Sequence, residues 1–527
     1  MRWLWTRAAR TASAHQLQRF VHSAAVVALR PYQEECLRAC TDALSAGQTR
    51  IGISLPTGAG KTTVFISLLA RLPSPTGNPK ATKSLIIVNS VELARQSAEQ
   101  VAKLFPSWTV EIEQGVKHQA TGAADVTVAT YQTLLQRERL RKIDPLRLKA
   151  IVVDEAHHAA APSYRRILAH FDPDIRHPDK EFVQPNTITH KIPVIGFSAT
   201  FSRHDGLALG SVFERIVYHR SFLEMIKEEW LCDVRFTSVH ARLKLNEVTV
   251  SARTGDFNAA SLARVVNTPT VNDLVVKTWL HRAAQRKSTL VFCVSIAHVE
   301  SLTQTFRSYG IDARYVYSGT PAAERRALIA AFKAGEFPVL INCAILTEGA
   351  DIPNIDCVVV ARPTRSRNVF AQMIGRGMRL SPSTGKKDCH IIDFVDTQTR
   401  VQGVMSTPTL FGLDPDEIIE GELKALEERA AGNKDLSQFS ASADGEELPE
   451  VVVDVEEPTS ITYRDHENPF STVHGASGDP HIAALSPYAW VSCGNDVYVM
   501  ECMASGHIRI TKSFSECNLP FGDEPVY

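Results

Sequence analysis

The chain has 527 residues, too many for one hydrophobic core and enough for about three domains. Its 57 Lys and Arg offset 58 Asp and Glu, so no global basic field draws in a polyanion, and any nucleic-acid binding must come from local patches. No apolar run approaches a membrane span, and ten scattered cysteines without a Cys-x-x-Cys pair argue for a reducing compartment over a disulfide scaffold.

Arg2, Arg7, Arg10, Arg19 and Arg30 all precede the first acid, Glu34. With Trp3, Leu4 and Trp5 together with Leu17, Phe20 and Val21 allowing an amphipathic helix, residues 1–25 have the composition of a mitochondrial transit peptide addressed to the matrix, with Arg19-Phe20 as a cleavage neighbourhood. A cytosolic or nuclear leader is the alternative.

The apolar run Ile51–Leu55 leads into Pro56-Thr57-Gly58-Ala59-Gly60-Lys61-Thr62-Thr63, and Val64–Leu69 follows. Strand, Gly-rich turn and helix form the setting of a phosphate loop. Gly58 and Gly60 let backbone N–H groups turn toward a β-phosphate, and the helix N-terminus adds its positive dipole end. Lys61 supplies a point charge between the β- and γ-phosphates of ATP, and the Thr62 hydroxyl is the expected Mg²⁺ ligand. The strict pattern has Gly where this chain has Leu55.

Lys149–Val153 reads as a buried parallel strand ending in Asp154-Glu155-Ala156-His157. Two acids at the end of a hydrophobic strand are costly unless a cation sits with them. Asp154 is therefore the expected Mg²⁺ ligand and Glu155 the group that orients or deprotonates the attacking water. His157 and His158 are assigned coupling or packing roles, because no further ligand is spaced for zinc. A third phosphate-handling motif, Ser198-Ala199-Thr200, follows.

A second α/β pattern opens near Val271. Strands are expected at Ser288–Cys293, Ala313–Tyr317 and Val339–Cys343, with helices at Ala297–Tyr309 and Ala322–Ala334, which implies a second parallel sheet covered on both faces. This half lacks a phosphate loop. It carries Gln372-Met373-Ile374-Gly375-Arg376-Gly377-Met378-Arg379 instead, and Gln372, Arg376 and Arg379 are its candidate catalytic residues. The spacing predicts both arginines on one helical face, suited to charge developing on a γ-phosphate. Residues 413–457 read as an acidic helix and solvated linker. Beyond them Tyr488–Ser492, Asp496–Met500 and His507–Thr511 read as three strands of a small β-rich module, in which Tyr488 and Trp490 either pack or stack on bases.

Four phosphate-handling motifs in this order resemble those of a superfamily 2 DExH-type helicase or translocase, over roughly residues 27–400. The C-terminal extension resembles that of fungal mitochondrial double-stranded-DNA helicases that remodel branched DNA. The resemblance implies two tandem RecA-like, doubly wound domains, at 27–225 and 226–412, with an accessory module at 458–527. It also implies that Arg30 and Gln33 of Leu29-Arg30-Pro31-Tyr32-Gln33 meet the adenine. Asn89–Gln96 and Ala129–Thr133 resemble strand-contact motifs, so Asn89, Ser90, Arg95, Thr130 and Thr347 are expected on the nucleic-acid backbone. Thr347-Glu348-Gly349-Ala350-Asp351 resembles a motif linking that backbone to ATP, through Gly349 and Asp351. The expected partner is duplex or branched DNA, bound by a monomer. An organellar RNA helicase and a non-catalytic nucleic-acid scaffold are the alternatives, the latter disfavoured by intact Lys61, Asp154, Glu155, Arg376 and Arg379.

Overall fold

The computed structural model describes residues 28–179, 190–199, 201, 209–241, 243, 245–251, 256–347, 351–396 and 404–405, together with the backbone of four strands between 462 and 511. The leader, the acidic stretch 413–457, Thr200, Gly349, Tyr488 and Trp490 lie outside the described residues. The chain groups into two compact units, one from residues up to Phe197 and one from Ser198 onward, with Ser54–Ala59 grouped with the second.

In chain order the first part runs α1 (Pro31–Ser45), β1 (Arg50–Ser54), α2 (Lys61–Arg71), β2 (Lys83–Val88), α3 (Val91–Leu104), β3 (Val110–Glu113) and β4 (Val126–Thr130). It continues through α4 (Tyr131–Leu134), α5 (Arg137–Leu140), β5 (Leu148–Asp154), α6 (Pro162–Leu168), β6 (Val194–Ser198) and β7 (Arg215–His219). Its sheet has strand order β3-β4-β2-β5-β6-β1-β7. The pairs β3/β4, β4/β2, β2/β5 and β5/β6 are all parallel. Every residue of β1, β4 and β6 is buried, as expected of parallel strands covered on both faces. The order jumps across the sheet between β1 and β2, so the loop after β1 opens at a topological switch point, where α/β proteins bind ligands.

The second part runs α7 (Phe222–Lys227), β8 (Asp233–Ala241), α8 (Ala259–Val266), α9 (Pro269–Ala283), β9 (Thr289–Phe292), α10 (Ile296–Ser308), β10 (Ala313–Val316) and α11 (Ala322–Ala334). It ends with β11 (Val339–Asn342), β12 (Cys357–Val360), α12 (Arg367–Gly375), β13 (Asp388–Asp396) and β14 (Thr462–His466). The sheet order is β10-β11-β9-β12-β13-β8-β14, parallel throughout except for β14, which pairs antiparallel to β8. Expected and observed elements coincide at α11 and differ by about one residue at α10, β10 and β11. Trp279 of α9 anchors the core beneath this sheet. Its indole N–H donates to Thr289 Oγ1 at 2.9 Å and its ring meets Phe306 edge-on, so burial leaves its polar edge satisfied.

The sheet begins earlier in sequence than the expected start near Val271. β8 pairs residue for residue with β13 over nine positions. Its opening Asp233-Val234-Arg235-Phe236 alternates exposed and buried, the period-two signal of a strand. A separate antiparallel sheet, β15 (Val491–Ser492), β16 (Val497–Cys502) and β17 (Gly506–Thr511), matches the expected β-rich module.

Candidate active site

Two glycines set the phosphate loop. Gly58 has φ +93° and Gly60 φ +74°, left-handed values that strain any residue with a Cβ. A Cβ at Gly60 would also stand 2.8 Å from Gln33 Nε2, so the carboxamide of Gln33 lies directly against the loop at the N-cap of α2. Gln33 is buried, and its Oε1 accepts the Arg30 N–H at 3.0 Å. The Arg71 guanidinium, in the last turn of α2, forks onto both oxygens of Glu34 at 2.7 Å, tying α2 to the first turn of α1 beside Gln33. That hydrogen-bonded fork holds the Glu34 carboxyl below its ordinary value. Arg30 also faces the Tyr32 hydroxyl, at 3.4 Å.

Leu55, the departure from the strict loop pattern, is fully buried. Its N–H donates to Ser198 O at 2.9 Å, so the slot serves as a core anchor linking the loop to the Ser198-Ala199-Thr200 motif. Pro56, Thr57 and Ala59 are buried, while Lys61, Thr62 and Thr63 are half-buried along the first turn of α2. Thr63 Oγ1 accepts from Gln100 Nε2 at 3.3 Å and so braces α2 against α3.

Asp154 and Glu155 are 4% and 6% exposed at the end of β5. The Glu155 N–H donates to Asp154 Oδ1 at 3.0 Å. Glu155 itself has φ 50° and ψ 51°, a left-handed conformation that costs a non-glycine residue about 1–2 kcal/mol. Such strain persists where the surroundings over-determine it, typically at functional sites. Glu155 Oε2 is buried without a hydrogen bond, and His157 Nδ1 lies 3.4 Å away. The orphaned Glu155 oxygen shows that this strand end holds a buried polar group the protein itself does not satisfy, and Asp154 and the Thr62 hydroxyl are oxygen donors of the kind a hard divalent cation carried with a nucleotide takes.

In the second unit, Thr347, Asp351, Arg376 and Arg379 come together. Arg376 is buried and its Nε donates to Thr347 O at 2.9 Å. Arg379 donates to Asp351 Oδ1 at 2.6 Å. Burial lowers the Arg379 pKa while Asp351 opposes the shift. Gln372 is buried in α12. The expectation that the two arginines share a helical face is corrected here. α12 ends at Gly375, and Arg379 lies beyond it. Gly377 N–H donates to Ile374 O at 3.0 Å, an i→i−3 bond that tightens the chain out of the helix. A Cβ at Gly377 would lie 2.2 Å from Cys389 Sγ, so close packing against β13 fixes this turn. Within the second unit, which includes Ser54–Ala59, a Cβ at Gly58 would lie 3.2 Å from Arg379 Cγ, and one at Gly375 would lie 2.5 Å from Thr57 Cβ.

Sequence reasoning missed Lys386. Its ammonium donates to the carbonyls of Gly377, Arg379 (2.8 Å) and Pro353 (3.3 Å), holding the arginine-bearing turn to the segment after Asp351. Nothing local marks this lysine, because its three acceptors converge only in the fold.

The strand-contact candidates are placed unevenly. Asn89 O accepts from Gln132 Nε2 at 3.1 Å, which joins the two motifs of the first unit. Ser90 caps α3, its hydroxyl accepting from the Leu93 N–H at 3.2 Å. Arg95 is exposed and pairs with Glu99 at 3.5 Å. Thr130, in contrast, is buried, and its hydroxyl shares a 2.9 Å hydrogen bond with Thr133. Its side chain is not presented outward, whereas Gln132 is exposed and Tyr131 half-buried. The Thr347 hydroxyl donates to Ala344 O at 2.6 Å.

Two family models match the chain: the res subunit of type III restriction enzymes over residues 26–203, and the helicase conserved C-terminal domain over residues 270–381. They define a two-part helicase motor. The protein named as the ATP-dependent helicase IRC3 in Saccharomyces cerevisiae is 38% identical over 93% of this chain and 74% of its own length. The mitochondrial ATP-dependent helicase irc3 of Schizosaccharomyces pombe is 41% identical over 74% of this chain and 61% of its own. A fragment of an HsdR subunit of a type I restriction enzyme from Vibrio vulnificus shares the fold at TM-score 0.52 and 20% identity, covering 69% of this chain and 64% of that one. The chain belongs to the IRC3 family of superfamily 2 ATP-dependent helicases.

Proposed function

We propose that the protein is a mitochondrial ATP-dependent DNA helicase or translocase, which couples Mg-ATP hydrolysis to remodelling of branched duplex DNA in the maintenance of mitochondrial DNA. The observation that carries the ATP half is the left-handed Gly60 held against Gln33, a backbone cradle that a Cβ would fill. Bound Mg²⁺ would neutralise phosphate charge, and Thr62 and Asp154 are the residues that would hold it. Lys61 steadies the β- and γ-phosphates, Arg30 and Gln33 read the adenine, and Glu155 orients the attacking water and takes its proton. Arg376 and Arg379 offer guanidinium charge to the γ-phosphoryl oxygens as they become more negative.

The mitochondrial reading rests on the arginine-rich, acid-free residues 1–33 and on the name of the S. pombe relative. A motor that tracks a phosphate backbone reads charge and helix form more than sequence, so binding is sequence-tolerant and salt-sensitive. Asn89, Ser90, Arg95 and Thr347 are proposed contacts on that backbone, with Thr130 contributing through its main chain, and the protein acts as a monomer. The test is the ATPase rate with duplex DNA, forked DNA and RNA as separate stimulants. Stimulation by forked DNA above duplex is expected. Stimulation by RNA alone would replace this reading with an organellar RNA helicase.

A further inference from the structure

We propose that Tyr164 is a positioning residue that couples the strand-contact motif ending β4 to the Glu155 carboxylate, through an unbroken stack of rings inside the first unit. The Tyr131 ring stands at the start of α4, immediately after Thr130, and stacks on Tyr164 with centroids 4.7 Å apart and planes 28° apart. Tyr164 faces His158 at 6.3 Å and 18°. His158 packs on His157 at 4.1 Å, and His157 Nδ1 reaches to 3.4 Å from Glu155 Oε2.

One end of this stack is half-buried beside exposed Gln132, and the other is a strained, buried carboxylate. Tyr164, on α6, is 2% exposed and links the two ends. Close-packed rings transmit displacement because the interior holds no slack to absorb it. A shift of Tyr131 on a bound strand therefore moves Tyr164, then the histidine pair, then the left-handed turn that sets where Glu155 points. The main-chain N–H of His158 also donates to the main-chain O of Glu155 at 3.0 Å, so the backbone that carries this ring is tied to the Glu155 backbone. The same path run backwards ties nucleotide occupancy to the grip on the strand, since coupling between two sites is reciprocal.

The proposal rests on the assigned roles of Glu155 and of the motif at Ala129–Thr133. Its test is the factor by which a non-hydrolysable ATP analogue tightens binding of a forked DNA duplex to the full-length chain. Tyr164→Leu, which removes the ring, lowers that factor about 2- to 30-fold, while Tyr164→Phe retains it. His158→Leu, which breaks the stack without emptying the buried Tyr164 site, gives the same loss if Tyr164→Leu does not fold. An unchanged factor in the leucine variants, or an equal loss in Tyr164→Phe, overturns the inference and leaves the proposed function standing. Absence of any nucleotide effect on DNA binding by the wild type overturns both.

Discussion

Glu155→Gln separates chemistry from binding and from stability within one substitution. The amide is isosteric, so the left-handed backbone at this position and the packing against His157 are kept. What is lost is the basic oxygen. A positioned general base contributes about 10²- to 10⁴-fold, so turnover should fall by that factor, about 2.7–5.4 kcal/mol of barrier. Nucleotide affinity should hold, because Lys61, the glycine cradle and Gln33 are untouched. Stability should hold or rise, because Glu155 Oε2 is buried without a hydrogen bond and an uncharged amide is cheaper to bury. The assay is steady-state ATP hydrolysis with saturating DNA, beside nucleotide binding by calorimetry and a thermal melt. Hydrolysis at the wild-type rate would refute the role given to Glu155. Parallel loss of binding and melting temperature would show that the carboxylate is structural.

Arg379→Ala should reduce DNA-stimulated ATP hydrolysis at least ten-fold, against a small change in ATP affinity, since an arginine at a developing γ-phosphate charge is worth about 10³–10⁵ in the strongest cases; an unaltered stimulated rate excludes that role. Removing residues 413–527 deletes β14, which pairs with β8, and should lower the melting temperature. Removing only 467–527 spares that pairing and should isolate the β-rich module's effect on fork unwinding. Full-rate unwinding by the shorter deletion would exclude a substrate role for the module. His298 is fully buried and burial pushes its pKa down to about 4. The unfolded chain takes up that proton near pH 6.5 and the folded chain resists it. Stability should therefore fall by about 3 kcal/mol between pH 6.5 and 4, and denaturant titrations of His298→Gln should show a shallower slope.

The motor was legible because its parts are local. A phosphate loop is a contiguous octet between strand and helix, and β5 ends in its two acids with no help from elsewhere. Period and turn chemistry likewise set the ends of α11 and the three C-terminal strands to within a few residues, because a helix or hairpin is specified mostly by its own side chains. Where distant segments meet, local pattern was silent or misleading. Arg376 and Arg379 sit at helical spacing, yet close packing of Gly377 on Cys389 ends the helix before the second arginine. The Thr130 hydroxyl reads as available until Thr133 and the surrounding core enclose it. Lys386 and Tyr164 carry no motif at all, and Leu55 stands in the sequence only as a departure from one. Leu55 finds its acceptor at Ser198, Tyr164 its stacking ring at Tyr131, and Lys386 joins the nearby Gly377 and Arg379 carbonyls to Pro353, 33 residues back. Sequence determined which chemistry the chain can perform, because reactive groups cluster at element ends. Only the tertiary structure decided how those groups are held, because buried hydrogen bonds and packed rings are satisfied by whatever the fold places beside them.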